Sequence, residues 1–309
     1  MSFGSIAIGL PLWYYPPMGK RGLSSVIFSS LLLACVCSGQ SAKNLIWTGE
    51  SGGFSIRWTD DDISAHPVDN PSVKLFSTRA IAEQASKQWF MLQKDMEEPD
   101  DEEYSAEKNC EFGASYRLLA VVGSIVAFEC IESVVCSFAA HPDIQIRVSA
   151  FDLAKGGKHL GEMTSLTEYF TEPEILNELS RNQVIQRELV KRKAAQPKTL
   201  SELRTALAQP SGSMIETENC GFDFPPDILS RFAFHDLEKD KVVVRIGLPS
   251  SLGACQRSQL LLTLRLDIPE KLKPALTAAA SGKQGFFMKD LSKFGASAKS
   301  DAVYEVPPQ

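Results

Sequence analysis

The sequence predicts an α+β fold, a mainly antiparallel sheet with packed helices in a single domain. Two observations predict it. Apolar, β-rich runs at residues 114–122 and 125–136 meet at Gly123-Ser124, a two-residue hairpin signal. Capped helical patterns interrupt the strands in groups, which argues against a doubly wound sheet. No internal repeat is present. The 309 residues allow two average domains or one large one. Hydrophobic residues at 44% and charged residues at 23% exclude a disordered or collagen-like chain. A mean hydropathy of −0.09 excludes a polytopic membrane protein. The net charge is −6 and no Lys/Arg-rich block stands out, so nucleic acid is not an expected partner.

The elements follow in order. Residues 44–48 and 54–58 read as short strands, because Phe54, Ile56 and Trp58 alternate with polar residues. Asp60-Asp61-Asp62 ends the second. Ser77 or Thr78 caps a helix to about Glu97, with Ile81, Ala85, Trp89, Leu92 and Met96 on its apolar face. The acidic stretch 97–103 lacks the ordered spacing and glycine of a calcium loop and reads as a solvated loop. After the central hairpin, residues 144–153 form another alternating strand. Thr171-Glu172-Pro173 opens a long helix to about Lys193, with Ile175, Leu179, Ile185 and Leu189 as its stripe. Thr199 and Glu202 have capping-box spacing for a short helix. Residues 221–224, 231–235, 241–248 and 260–266 are strands, and 269–280 close as a helix. Residues 296–309 are small and polar and are expected to form a flexible tail.

The N-terminus reads as an export signal. Lys20 and Arg21 precede the apolar run 23–36, a basic region and an apolar core of signal-peptide length, too short to span a bilayer comfortably. Residues 1–17 look like an over-extended start, and residues 18–40 like the signal itself. Leu32-Leu33-Ala34-Cys35 is similar to a lipobox, which makes Cys35 the lipidation candidate; ordinary cleavage near Ser38-Gly39-Gln40 is the alternative. Loss of Lys20 and Arg21 with the signal takes the net charge from −6 to −8.

Export permits disulfides. No pair of cysteines has CxxC spacing, so a zinc ribbon or thioredoxin motif is unsupported. If Val122 faces Ile125, Cys110 falls opposite Ser137, one step from Cys136. Cys130 and Cys136 lie six residues apart on one strand, about 20 Å, too far to bond. The expectation is Cys110–Cys136 and Cys220–Cys255, with Cys130 a buried free thiol. The competing picture has all five reduced.

Several segments carry a family pattern. The hairpin is followed by Phe138-Ala139-Ala140-His141-Pro142, then Phe151-Asp152-Leu153-Ala154-Lys155-Gly156-Gly157-Lys158, then Leu166-Thr167-Glu168-Tyr169-Phe170. Near the end come Val242 to Pro249, Gly253-Ala254-Cys255, and Ile268-Pro269-Glu270-Lys271-Leu272. Residues 45–280 thereby resemble a family of extracytoplasmic domains that includes the outer domain of the lysozyme-sensing anti-sigma factor RsiV and domains attached to peptidoglycan deacetylases. Two departures stand out: Phe138-Ala139 replace glycines in the turn, and Pro269-Glu270 replaces Pro-Tyr.

The resemblance implies an exported, non-catalytic binding module for a lysozyme-type hydrolase or peptidoglycan, without cofactor. An acidic mature chain suits a basic partner by electrostatic steering. His141, Pro142 and Asp152 in the matched turn and strand are the binding candidates; the alternative for His141 is fixing the turn. No Gly-x-Ser-x-Gly, His-Glu-x-x-His or Walker motif is present. One alternative is a metal-dependent envelope hydrolase, with His141, His159 and Asp152 converging. Another is a structural envelope lipoprotein. Trp47, Phe54, Trp58 and Trp89 suit a glycan surface or a core; their strand and helix spacing favours core.

Overall fold

Alternation of buried and exposed residues builds three sheet regions along the chain, seen in a computed structural model. It describes residues 44–96, 110–137, 139, 142–155, 163–207, 215–217, 220–222, 224–249, 260–295 and 300–304, all within one compact unit, Ala42–Gln309. The architecture is α+β, and every strand pair in it is antiparallel.

The first sheet runs in the order β1 (Leu45–Ser51), β2 (Phe54–Thr59), β3 (Ile63–Pro67), β4 (Phe76–Ser77). Sequence alternation finds the first two strands and misses β3 and β4, which are too short to show a period. Asp62 ends the acid triplet pointing inward. Its carboxylate accepts from Ser77 Oγ at 2.9 Å, Thr78 Oγ1 at 3.1 Å, the Arg79 backbone N–H at 3.1 Å and Lys74 Nζ at 2.8 Å. It thus ties the turn to the start of α1 (Thr78–Met96), whose early donors have no partner within the helix. The buried line of α1 is Thr78, Ala82, Ser86 and Phe90, with Ile81, Ala85 and Trp89 flanking it. Leu92, expected on that face, is instead 62% exposed. The inward line is rotated by one position, onto the small residues Thr78, Ala82 and Ser86 and then Phe90.

The central sheet has the order β13-β5-β6-β7, from β5 (Cys110–Val122), β6 (Ile125–Cys136), β7 (Asp143–Asp152) and β13 (Ser300–Tyr304). Gly123 (φ 59°) turns the hairpin where the sequence places it. The register starts as expected, with Val122 opposite Ile125, and then slips at a bulge between Leu118 and Ala120. One extra residue in β5 moves Cys110 from opposite Ser137 to opposite Cys136. The bulge also exchanges the faces of β5. Phe112, Ala114, Tyr116 and Leu118 face one core, whereas Leu119, Ala120 and Val122 face the other. Residues 300–304 correct the expectation of a flexible tail: they pair with Phe112 to Tyr116 as an edge strand.

The third region packs on the opposite face of the central sheet. It comprises α2 (Glu172–Arg181), α3 (Gln183–Lys191), α4 (Leu200–Leu207), the short pair β8 (Ile215–Thr217) and β9 (Cys220–Phe222), the sheet β10 (Phe232–Glu238), β11 (Lys241–Leu248), β12 (Leu260–Asp267), and α5 (Lys273–Ala280). The single long helix expected from Thr171 is two. Asn182 is extended (φ −65°, ψ 126°), and its side chain accepts from the Val184 N–H at 3.0 Å, capping α3. Ile175, Leu179, Ile185 and Leu189 are all buried as expected. Their gap of six between Leu179 and Ile185 is the trace of the break.

Two cores result, one on each face of the central sheet. Phe286 bridges to Val121 through backbone bonds of 3.0 and 3.1 Å. Gly285 (φ 99°) permits it, since a Cβ there would sit 2.1 Å from the Val121 carbonyl oxygen. Trp58 is fully buried, and Trp47 packs edge-on against Phe286 at 5.0 Å between ring centres. These aromatics are core, as their spacing indicates.

Candidate functional site

The described residues place the expected site residues unevenly. His141, His159, Cys35 and Cys255 lie outside them, as does the acidic stretch 97–103. Cys220 lies on β9, whose pairing is backbone-defined. Pro142 stands immediately before β7 and is half-buried. Cys110 and Cys136 form a disulfide with a Cα–Cα distance of 4.0 Å, and Cys130 is a free buried thiol.

Asp152 ends β7 inside a hydrogen-bonded cluster. One carboxylate oxygen accepts from Ser124 Oγ at 2.6 Å and from the Ala154 N–H at 3.1 Å. The other accepts from the Tyr169 hydroxyl at 2.9 Å. Tyr169 also meets Thr164 Oγ1 at 2.9 Å, and Lys155 Nζ donates to the same Thr164 oxygen at 3.1 Å. Burial, reinforced by the Asp152 charge, raises the Tyr169 phenol well above its ordinary range. The cluster locks the β5–β6 turn to the segment 164–170. Asp152 holds the end of β7 in shape, and both of its carboxylate oxygens are engaged.

A concavity lies elsewhere among the described residues, on the face of the central sheet that carries α1. It is a cleft of about 340 Å³. Its floor is a row across three strands, Tyr116 opposite Cys130 and Cys130 opposite Arg147. Deeper along the strands the same face is aromatic, with Phe128 and Phe151 stacked at 5.2 Å. One wall is α1, which contributes Ile81, Gln84, Ala85 and Gln88. The other is Met163 with Asp227 and Arg231.

Charge in the cleft is balanced. Arg147 forms an ion pair with Glu132, whose side chain is 14% exposed. Arg231 pairs with Asp227 at 3.1 Å. Burial lowers the Arg147 pKa, but the opposing contributions, led by the Glu132 carboxylate, together outweigh it and the net shift is upward. The Cys130 thiol donates to Glu132 Oε1 at 3.7 Å. Burial, with Glu132 beside it, pushes the thiol up to about 12. It is therefore a neutral lining group and no nucleophile at ordinary pH.

Sequence reasoning missed this cleft. A signal for it exists: along β6 and β7 the inward face changes from apolar Val126, Phe128 and Phe151 to Cys130, Glu132, Arg147 and Ser149. Polar residues on the apolar phase of two neighbouring strands mark a place where the core opens. Among the described residues, no three His, Cys, Asp or Glu side chains gather in a metal-ligating cluster. No helix among them is long and apolar enough to cross a membrane. Neither a protein-family model nor a curated protein matches the chain.

Proposed function

We propose that this chain is an exported, non-catalytic binding module of the bacterial cell envelope, whose partner is a basic lysozyme-type hydrolase or peptidoglycan. The observation that carries export is the Cys110–Cys136 disulfide, since such bonds persist in oxidising compartments. The resemblance of residues 45–280 to the RsiV outer-domain family supports the same reading, as does the α+β architecture. In this reading residues 18–40 direct export, and Cys35 carries a lipid if the lipobox-like sequence is used. The cleft supports binding over chemistry: its ion pairs are internally matched, and its thiol is held protonated.

The test has two arms. Purified full-length protein is incubated with an immobilised c-type lysozyme at low and high salt, and separately sedimented with peptidoglycan sacculi. Retention by lysozyme that weakens with salt identifies the basic partner. Co-sedimentation that tolerates salt identifies the wall polymer. Failure of both arms with a folded protein removes the proposal.

A further inference from the structure

We infer that the cleft between α1 and the central sheet is a binding site for a neutral saccharide. This deepens the binding-module reading and rests on it. The first argument is charge. The cleft holds two cations and two anions, each guanidinium paired with a carboxylate, Arg147 with Glu132 and Arg231 with Asp227. It has no net charge to offer an ionic ligand, and a charged ligand would have to break a partly buried pair.

The second argument is the kind of polar group. A guanidinium beside a carboxylate presents a donor and an acceptor side by side. The side-chain amides of Gln84 and Gln88, one turn apart on α1 and both exposed, do the same at the rim. A ligand that matches such surfaces carries groups that both donate and accept, closely spaced on a rigid frame. Adjacent hydroxyls on a sugar ring meet that requirement. The third argument is the apolar remainder. Ile81, Ala85 and Met163 are half-buried and offer a patch for the C–H face of a ring. The volume lies at the small end of ligand sites, which suits a single sugar unit of a longer chain.

The experiment is calorimetric titration of full-length protein with cellotetraose and with the tetramer of N-acetylglucosamine. A tetra-alanine peptide with acetylated and amidated ends and an oligogalacturonate serve as uncharged non-sugar and anionic sugar comparators. At least one neutral saccharide is expected to bind, and neither comparator. Gln84→Ala/Gln88→Ala should weaken binding about ten-fold, as for two lost neutral hydrogen bonds. Alanine is a good helix former, so the variant keeps α1. Glu83→Ala/Lys87→Ala removes the exposed pair beside them on the same helix and should leave affinity unchanged. The inference is overturned if no neutral saccharide binds, if either comparator binds as well, or if the two double variants behave alike. Retention of lysozyme or sacculi without saccharide binding overturns the saccharide site alone. Loss of all three removes the binding-module reading as well.

Discussion

Replacing both disulfide cysteines, Cys110→Ser with Cys136→Ser, gives the sharpest test of how the central sheet is held. The bond joins residues 26 apart and closes the open end of the β5–β6 hairpin, opposite the Gly123 turn. Cutting it leaves the ladder in place, so the cost falls mainly on the unfolded chain, which gains the freedom of an open loop. For a loop of this length the chain-entropy estimate is about 3.5 kcal/mol at 25 °C. In a unit of this size each kcal/mol moves the melting temperature by about 2–4 °C, so the expected fall is about 7–14 °C. Calorimetry with and without reductant measures it. Reductant should lower the native protein by about that amount more than it lowers the variant. The variant should also show a steeper denaturant dependence, because its unfolded chain exposes more surface. A fall of less than about one degree would refute the reasoning. It would mean that the hairpin stays closed in the unfolded ensemble without the bond.

Three further outcomes follow from the structure. Cys130 holds its proton up to about pH 12 in the fold, against 9.0 for an unperturbed thiol, so the native state binds the extra proton between those values. Stability should therefore fall as pH rises through that window and not below it, and Cys130→Ala should abolish that part of the alkaline loss in urea titrations. Asp62→Ala leaves the Ser77, Thr78 and Arg79 donors without their buried acceptor and should cost about 3 kcal/mol in urea unfolding. Asn182→Ala removes the cap on Val184 and should cost about 1 kcal/mol, seen as a lower urea midpoint with unchanged slope.

Much of the fold is legible because the central strands are long and their turn chemistry is explicit. Gly123-Ser124 announces the hairpin, and the stripe Ile175 to Leu189 announces a buried helical face. What escapes is set by single residues. The bulge at Leu119 leaves no mark in a run apolar on both faces, since either register buries the same kinds of side chain. The break at Asn182 is one extended residue inside an otherwise helical pattern. The edge strand 300–304 is hidden because its pairing is tertiary: the partner is β5, far away in sequence. The cleft shows in the sequence only as polar residues on the inward phase of β6 and β7, since Cys130, Arg147 and Gln84 become neighbours only when three strands and α1 assemble.

The two states of cysteine in the central sheet bear on one another. Cys130 and Cys136 share β6, six residues and about 20 Å apart, so a straight strand forbids exchange between the thiol and the bond. Burial removes the thiolate, the species that attacks disulfides. A reduced cysteine is therefore compatible with an oxidising compartment at this position. Its S–H donates to Glu132, and Glu132 in turn pairs with Arg147. The thiol thereby helps aim the carboxylate without adding charge to the floor of the cleft. A serine there would supply a stronger donor in a smaller volume, so Cys130→Ser should keep the Glu132–Arg147 pair but loosen the packing against Tyr116 and Phe128. A saccharide affinity unchanged in Cys130→Ser and reduced in Cys130→Ala would assign the thiol to orienting Glu132 rather than to filling space.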